Sequence, residues 1–169
     1  RIDALNPRTA RREIPAGVVS PAAATLFCVA SAVLFVFAAF QLNPLCFLLS
    51  PVALAIVLGY SYAKRFTAFA HLFLGLALAI APVGAWVAVT GAFALPPVLL
   101  GLAVLFWVAG FDVLYSLQDE EFDRAHGLRS IPARFGAPRA LQIARLFHGA
   151  TLVLLYAVFL AVDGGWLFG

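Results

Sequence analysis

The stretch Asp112-Val-Leu-Tyr-Ser-Leu-Gln-Asp-Glu-Glu-Phe-Asp-Arg-Ala-His-Gly127 follows Leu95 to Phe111, a run that is apolar apart from small residues and two prolines. One carboxylate inside a hydrophobic span and four more just beyond it suggest a membrane helix that carries chemistry at its end. At about 100° per residue, Asp112, Tyr115, Asp119 and Asp123 fall at roughly 0, 300, 340 and 20°. They therefore share one face. Glu120 and Glu121 fall at roughly 80 and 180° and point aside. Three carboxylates within about 40° of arc repel one another and lose solvation where a helix enters lipid, so a cation among them is expected. The plainer reading is a solvated helix end whose acids meet water. Asp112 argues against it, because it lies about two turns, roughly 10 Å, inside the apolar run.

Composition supports a membrane protein. The 169 residues are 64% hydrophobic and 11% charged, with a mean hydropathy of +1.01, which places the chain among integral membrane proteins. The net charge of +3 does not point to nucleic acid. The eleven Lys and Arg are confined to Arg1–Arg12, Lys64–Arg65 and Arg124–Arg145, which alternate with apolar spans. By the positive-inside rule these three regions face the cytoplasm. The turns near Asn43 and Gly91 carry no basic residue, and five spans alternate without conflict.

The expected fold is an all-α, multi-span transmembrane bundle, with spans near residues 21–40, 45–63, 72–90, 96–118 and 140–162. Ser20-Pro21 opens the first as cap and first-turn residue. Asn43-Pro44 turns the chain, Pro82 suggests a kink in the third span, and Gly127 suits a left-handed helix end. Gly164-Gly165-Trp166 would leave the membrane, the indole suiting an interface. Cys28 and Cys46 lie in separate spans without metal or redox spacing and read as packing residues. His71, His126 and His148 read as interfacial or packing residues, since none pairs by spacing with another candidate ligand.

Oxygen-only ligands suit a hard cation, and Mg²⁺ in particular is held by one or two carboxylates plus phosphate oxygens. The same membrane face gathers Arg8, Arg11, Arg12, Lys64 and Arg65, able to hold the remaining phosphate charge. For Lys64 and Arg65 the alternative is topological anchoring. Together these residues describe a diphosphate pocket at the cytoplasmic mouth of a helix bundle. A phosphate compound handled inside lipid is expected to have a lipid tail, and sixteen phenylalanines are available to line its path, although most would serve packing or lipid contact.

The run Asp112-x-x-Tyr-x-x-x-Asp119-x-x-x-Asp123, with Gly127, Ser130-Ile-Pro132 and Phe135-Gly136 behind it, resembles the second aspartate motif of UbiA-type intramembrane prenyltransferases. Ile2-Asp3-Ala-Leu-Asn-Pro-Arg8 through Arg12 to Gly17 is similar to the end of their first motif and the following loop. Tyr60-Ser-Tyr-Ala-Lys64-Arg65-Phe-Thr67 is similar to their connection after the third helix. The resemblance implies Mg²⁺-assisted loss of diphosphate from a polyprenyl diphosphate and attack on the allylic cation by a small aromatic acceptor. The wording of the motifs favours the 4-hydroxybenzoate branch, in ubiquinone synthesis, or the related aromatic acid step of menaquinone synthesis. It implies metal ligation by Asp119 and Asp123, then Asp112, with Asp3 as the last ligand of the first motif. Tyr115 would orient the acceptor or shield the cation, and Lys64, Arg65, Arg8 and Arg12 would hold phosphate.

Because such proteins have about nine spans and the earlier ligands of the first motif would precede Arg1, the chain reads as one domain over 1–169, truncated at both ends. Such a fragment is expected to bind diphosphate poorly. The expected setting is a bacterial inner membrane with the mouth on the cytoplasmic side, and no protein partner is implied. Within the enzyme class the alternatives are transferases making haem O or using a chlorophyll precursor. From another class, an ion- or proton-coupled transporter subunit would use Asp112 as its carrier. That reading requires a second interrupted helix related by internal symmetry, and only Pro82 interrupts a span.

Overall fold

The computed structural model describes residues 4–162. Asp3 and the Gly164-Gly165-Trp166 exit lie outside the described residues. The chain is helical: α1 (Pro21–Leu42), α2 (Pro44–Phe66), α3 (Ala70–Thr90), α4 (Leu95–Ser116), a 3₁₀ turn (Leu117–Asp119), α5 (Glu120–Ala125), α6 (Ile131–Phe135) and α7 (Ala137–Ala161). Five of these stretches are long and apolar enough to cross a membrane, the fourth running from Leu95 to Ala125. The chain is an integral membrane protein.

Local sequence explains where the helices start and stop. Ser20 caps α1 by accepting from the Ala23 amide, and Asn43 caps α2 by accepting from Cys46, each followed by proline at the first helical position. Asn43 also donates to the Val87 carbonyl at 2.8 Å, tying the α1–α2 turn to the far end of α3. Gly91 and Gly127 take left-handed conformations at φ 68° and 66°, which a side chain would strain. Pro82 sits within an α3 that stays helical throughout.

The spans pack as chain neighbours, α1 on α2, α2 on α3 and α3 on α4, and α7 returns onto the other side of α4. Helix α4 is therefore central. Lipid tails are as apolar as leucine, so close association depends on small residues that let backbones approach. A Cβ on Gly75 would lie 2.3 Å from the Leu105 carbonyl oxygen, and one on Gly101 would lie 2.9 Å from that of Ala79. Against α7, Gly110 leaves room for the His148 ring, and Thr151 donates to the Ala103 carbonyl at 3.4 Å.

Gly75→Ala is expected to push α3 off α4 and destabilise the bundle by about 1–3 kcal/mol. Thermal unfolding in detergent would show this as a lowered midpoint, and an unchanged midpoint would mean that the two helices are not in such close contact.

Two features differ from the sequence reading. The fourth helix does not run unbroken to Gly127: Leu117–Asp119 tightens into a 3₁₀ turn, and Asp119 itself leaves helical geometry at φ −105°, ψ 6°. A constant 100° per residue thus holds only as far as Ser116. The connection before the last span also contains a helix of its own, α6, whose cap Ser130 accepts from the Ala133 amide. Ile131 explains why it folds inward. It is fully buried with Val113, Ala140 and Ala144, a burial that contributes about 1.5–3 kcal/mol.

Candidate active site

The basic end of the bundle is built by three segments: the loop before α1, the end of α2, and the chain from Asp112 to Ser130. Asp119 is 6% exposed and Asp123 is 2% exposed. Burial this deep requires partners for both carboxylates, and the structure supplies them. Arg8 grips Asp119 with two parallel bonds, Nε to Oδ1 at 3.0 Å and Nη2 to Oδ2 at 2.5 Å. Asn6 Nδ2 donates to Oδ1 at 3.0 Å. Asp123 Oδ2 accepts from Lys64 Nζ at 3.3 Å.

Arg8 also donates from Nη1 to the Tyr115 hydroxyl at 2.9 Å, its guanidinium lying 5.0 Å from the ring centre. The hydrogen bond to Asp119 raises the pKa of this guanidinium above its usual range, against an opposing effect of burial. One arginine thus joins Asp119 to Tyr115, as the planar fork of its side chain allows.

Asp112 is engaged differently. His71 Nδ1 lies 2.7 Å from Asp112 Oδ2, and His71 Nε2 accepts from the Ile131 amide at 3.3 Å. The histidine is fully buried, while the aspartate side chain is 25% exposed. Asp112 and Tyr115 are the polar members of a cavity of about 300 Å³ between α3 and α4, otherwise lined by Leu74, Leu78, Trp107, Val108 and Phe111.

Among the described residues, no three carboxylate, imidazole or thiolate groups lie close enough to hold a metal by themselves. The three aspartates expected to share a cation are each held by a different partner: Arg8 with Asn6, Lys64, and His71. Asp119 and Asp123 are still hard oxygen donors at one mouth, which suits a cation that takes most of its ligands from phosphate.

The basic residues divide. Arg8 and Lys64 reach the carboxylates. Arg65 instead lies over the Tyr62 ring, 5.3 Å from its centre, and Arg11 and Arg12 are exposed. Glu121 is exposed and Glu120 pairs with Arg124 at 2.7 Å, so both stand apart from the site.

Three residues with a part here were not read from the sequence as such. In the sequence reading Asn6 is named only within the Ile2 to Gly17 stretch, with no role of its own. Arg129 donates from its amide to the Lys64 carbonyl at 2.8 Å and from Nη1 to the Phe66 carbonyl at 2.7 Å, closing the end of α2. In the sequence reading His71 is an interfacial or packing residue without a partner. An intramembrane carboxylate demands one, and the histidine at the start of the neighbouring span was the available signal.

The sequence profile of the UbiA prenyltransferase family matches residues 1–169. The chain belongs to that family. Among relatives of this UbiA-family chain, the 4-hydroxybenzoate octaprenyltransferase of Tolumonas auensis is 33% identical over 167 residues, covering 99% of the chain and 56% of that protein. The 4-hydroxybenzoate octaprenyltransferase of Alkalilimnicola ehrlichii is 37% identical over 166 residues, covering 96% and 56%. The apo structure of a UbiA homologue from Aeropyrum pernix K1 superposes with a TM-score of 0.91 at 42% identity, covering 97% of the chain and 62% of that protein. The chain thus spans little more than half the length of the curated relatives it matches.

Lys64→Ala in this UbiA-family site is expected to weaken binding of an unreactive prenyl diphosphate analogue about tenfold, on the scale of one charge-assisted hydrogen bond. Titration calorimetry in detergent measures it. Unchanged affinity would leave Lys64 as a membrane anchor.

Proposed function

We propose that this protein transfers a polyprenyl group from a polyprenyl diphosphate to a small aromatic acceptor of the 4-hydroxybenzoate kind, as a step of quinone synthesis. The observation that carries this reading is the buried pairing of Asp119 with Arg8 and of Asp123 with Lys64 at one mouth of the bundle. Two carboxylates and two cations at the edge of an apolar bundle suit a ligand with a highly charged head and a greasy tail. The names of the curated relatives support the acceptor class.

Asp119 and Asp123 are the residues to hold Mg²⁺, which when bound would neutralise charge on the departing diphosphate. Arg8 and Lys64 lie beside these carboxylates and would turn to phosphate oxygens as the ligand arrives. The allylic C–O bond then breaks with its electron pair leaving on diphosphate. A ring carbon of the acceptor forms the new C–C bond, and the ring then gives up the proton at that carbon to the released diphosphate, restoring its aromaticity. Tyr115, joined to Arg8 and facing the cavity between α3 and α4, orients the acceptor. Apolar walls keep water from the cation. Arg65 and Arg12 would contribute to the positive potential around the mouth, and Asp3 would extend the acidic set.

The mouth faces the cytoplasm of a bacterial cell, on the argument that basic loops are retained on that side. The test is product formation in proteoliposomes from labelled polyprenyl diphosphate and 4-hydroxybenzoate. Prenylated acceptor is expected with Mg²⁺ and none after chelation; absence of product with every aromatic acid offered would overturn the proposal.

A further inference from the structure

The mechanism above gives His71 no part, although it is the largest fully buried polar side chain among the described residues. Its two ring nitrogens have different tasks. Nε2 lies 3.3 Å from the Ile131 amide, a group that can only donate, so this nitrogen carries the lone pair. The proton of the neutral ring then resides on Nδ1, where it is donated to Asp112 Oδ2 at 2.7 Å. Ile131 is itself immobilised: it is fully buried and begins α6 directly after the cap Ser130.

We propose that His71 is a positioning residue, a one-way relay from the Ile131 amide through the imidazole that holds Asp112 at the lip of the α3–α4 cavity as a hydrogen-bond acceptor for the aromatic acceptor's hydroxyl. The proposal rests on the transferase reading and assigns the acceptor to that cavity. Three observations carry it. The donor direction is dictated by a backbone amide and leaves no second tautomer. Asp112 makes no other hydrogen bond among the described residues and lines the cavity with Tyr115. The carboxylates with cationic partners, Asp119 and Asp123, are the buried ones, whereas Asp112 stays partly open.

The two amide replacements of histidine separate the two ends of the relay. In His71→Asn the amide NH₂ can take the place of Nδ1 and donate to Asp112, while the acceptor for Ile131 is lost. In His71→Gln the side-chain oxygen can take the place of Nε2 and accept from Ile131, while the donor to Asp112 is lost. The expected result is a crossed pattern in proteoliposomes and detergent. His71→Gln keeps a near-normal unfolding midpoint but loses at least tenfold in kcat/KM for the aromatic acceptor. His71→Asn has a lowered midpoint but recovers kcat/KM to within about threefold. In both, affinity for an unreactive prenyl diphosphate analogue stays within twofold.

Equal impairment of the two variants, or diphosphate affinity falling in step with turnover, would overturn the assignment and leave His71 as a packing residue. A second readout is independent of any activity. In protein labelled with ¹⁵N-histidine, the ring of His71 should show a protonated Nδ1 and a bare Nε2, and Asp112→Asn should shift the Nδ1 resonance. A protonated Nε2 would overturn the relay whatever the reaction proves to be. Wild-type protein without transferase activity but with the Nδ1-protonated ring would refute the transferase reading, and the acceptor role of Asp112 with it, while the relay stands.

Discussion

Asp119→Asn is expected to lower prenyl transfer by about a hundredfold or more, the scale seen when stabilisation of charge in a transition state is removed. The substitution has two consequences at one position. It takes a formal negative charge from the place where a divalent cation would approach the diphosphate. It also removes the carboxylate that receives two bonds from Arg8 and one from Asn6, so the loop before α1 loses those ties to the bundle. Steady-state turnover measures the first, and limited proteolysis near Arg8 measures the second. Turnover within a few-fold of wild type would remove Asp119 from the charge-handling set.

Asp123→Asn is expected to cost a similar factor of about a hundred by the same reasoning, with Glu121→Gln as its internal comparison. The two positions are neighbours in sequence and opposite in environment. Asp123 is 2% exposed and bound to Lys64, whereas Glu121 faces outward. Glu121→Gln should leave turnover within about twofold, as surface substitutions away from packed features do. Equal losses at both positions would mean that bulk negative charge at the membrane surface matters, and not the buried pair. Because Lys64 is about one-third exposed on its side chain, the pair is partly screened and its contribution to folding stability alone is modest.

Hydropathy made the five spans legible, since in a bilayer only helices satisfy the backbone without water. The cap Ser20, the turn at Asn43-Pro44 and the left-handed Gly127 were also legible, because each is a local preference of one residue type. The basic loops indicated which end of the bundle would carry the site. What escaped was pairing across helices. His71 and Asp112 are 41 residues apart, and no spacing rule links positions on two different helices. The same holds for Asn6 and Asp119, 113 residues apart. Arg65 and Lys64 are adjacent, yet about 100° of helical rotation separates them, enough to send one to Asp123 and the other to Tyr62. The 3₁₀ turn at Leu117–Asp119 could not be read from periodicity, because a face pattern at 100° per residue carries no mark of where a helix tightens.

Arg129 binds the carbonyls of Lys64 and Phe66, while the Leu128 amide beside it binds the Asp123 carbonyl at 2.8 Å. The lysine and the aspartate it faces are thus fastened to one rigid bracket and would travel together. The remaining wall, carrying Asn6 and Arg8, meets the bundle through side-chain bonds at Asp119 and Tyr115. A ligand that competes for those side chains would act first on the wall carrying Asn6 and Arg8, because the opposite wall is tied through backbone groups.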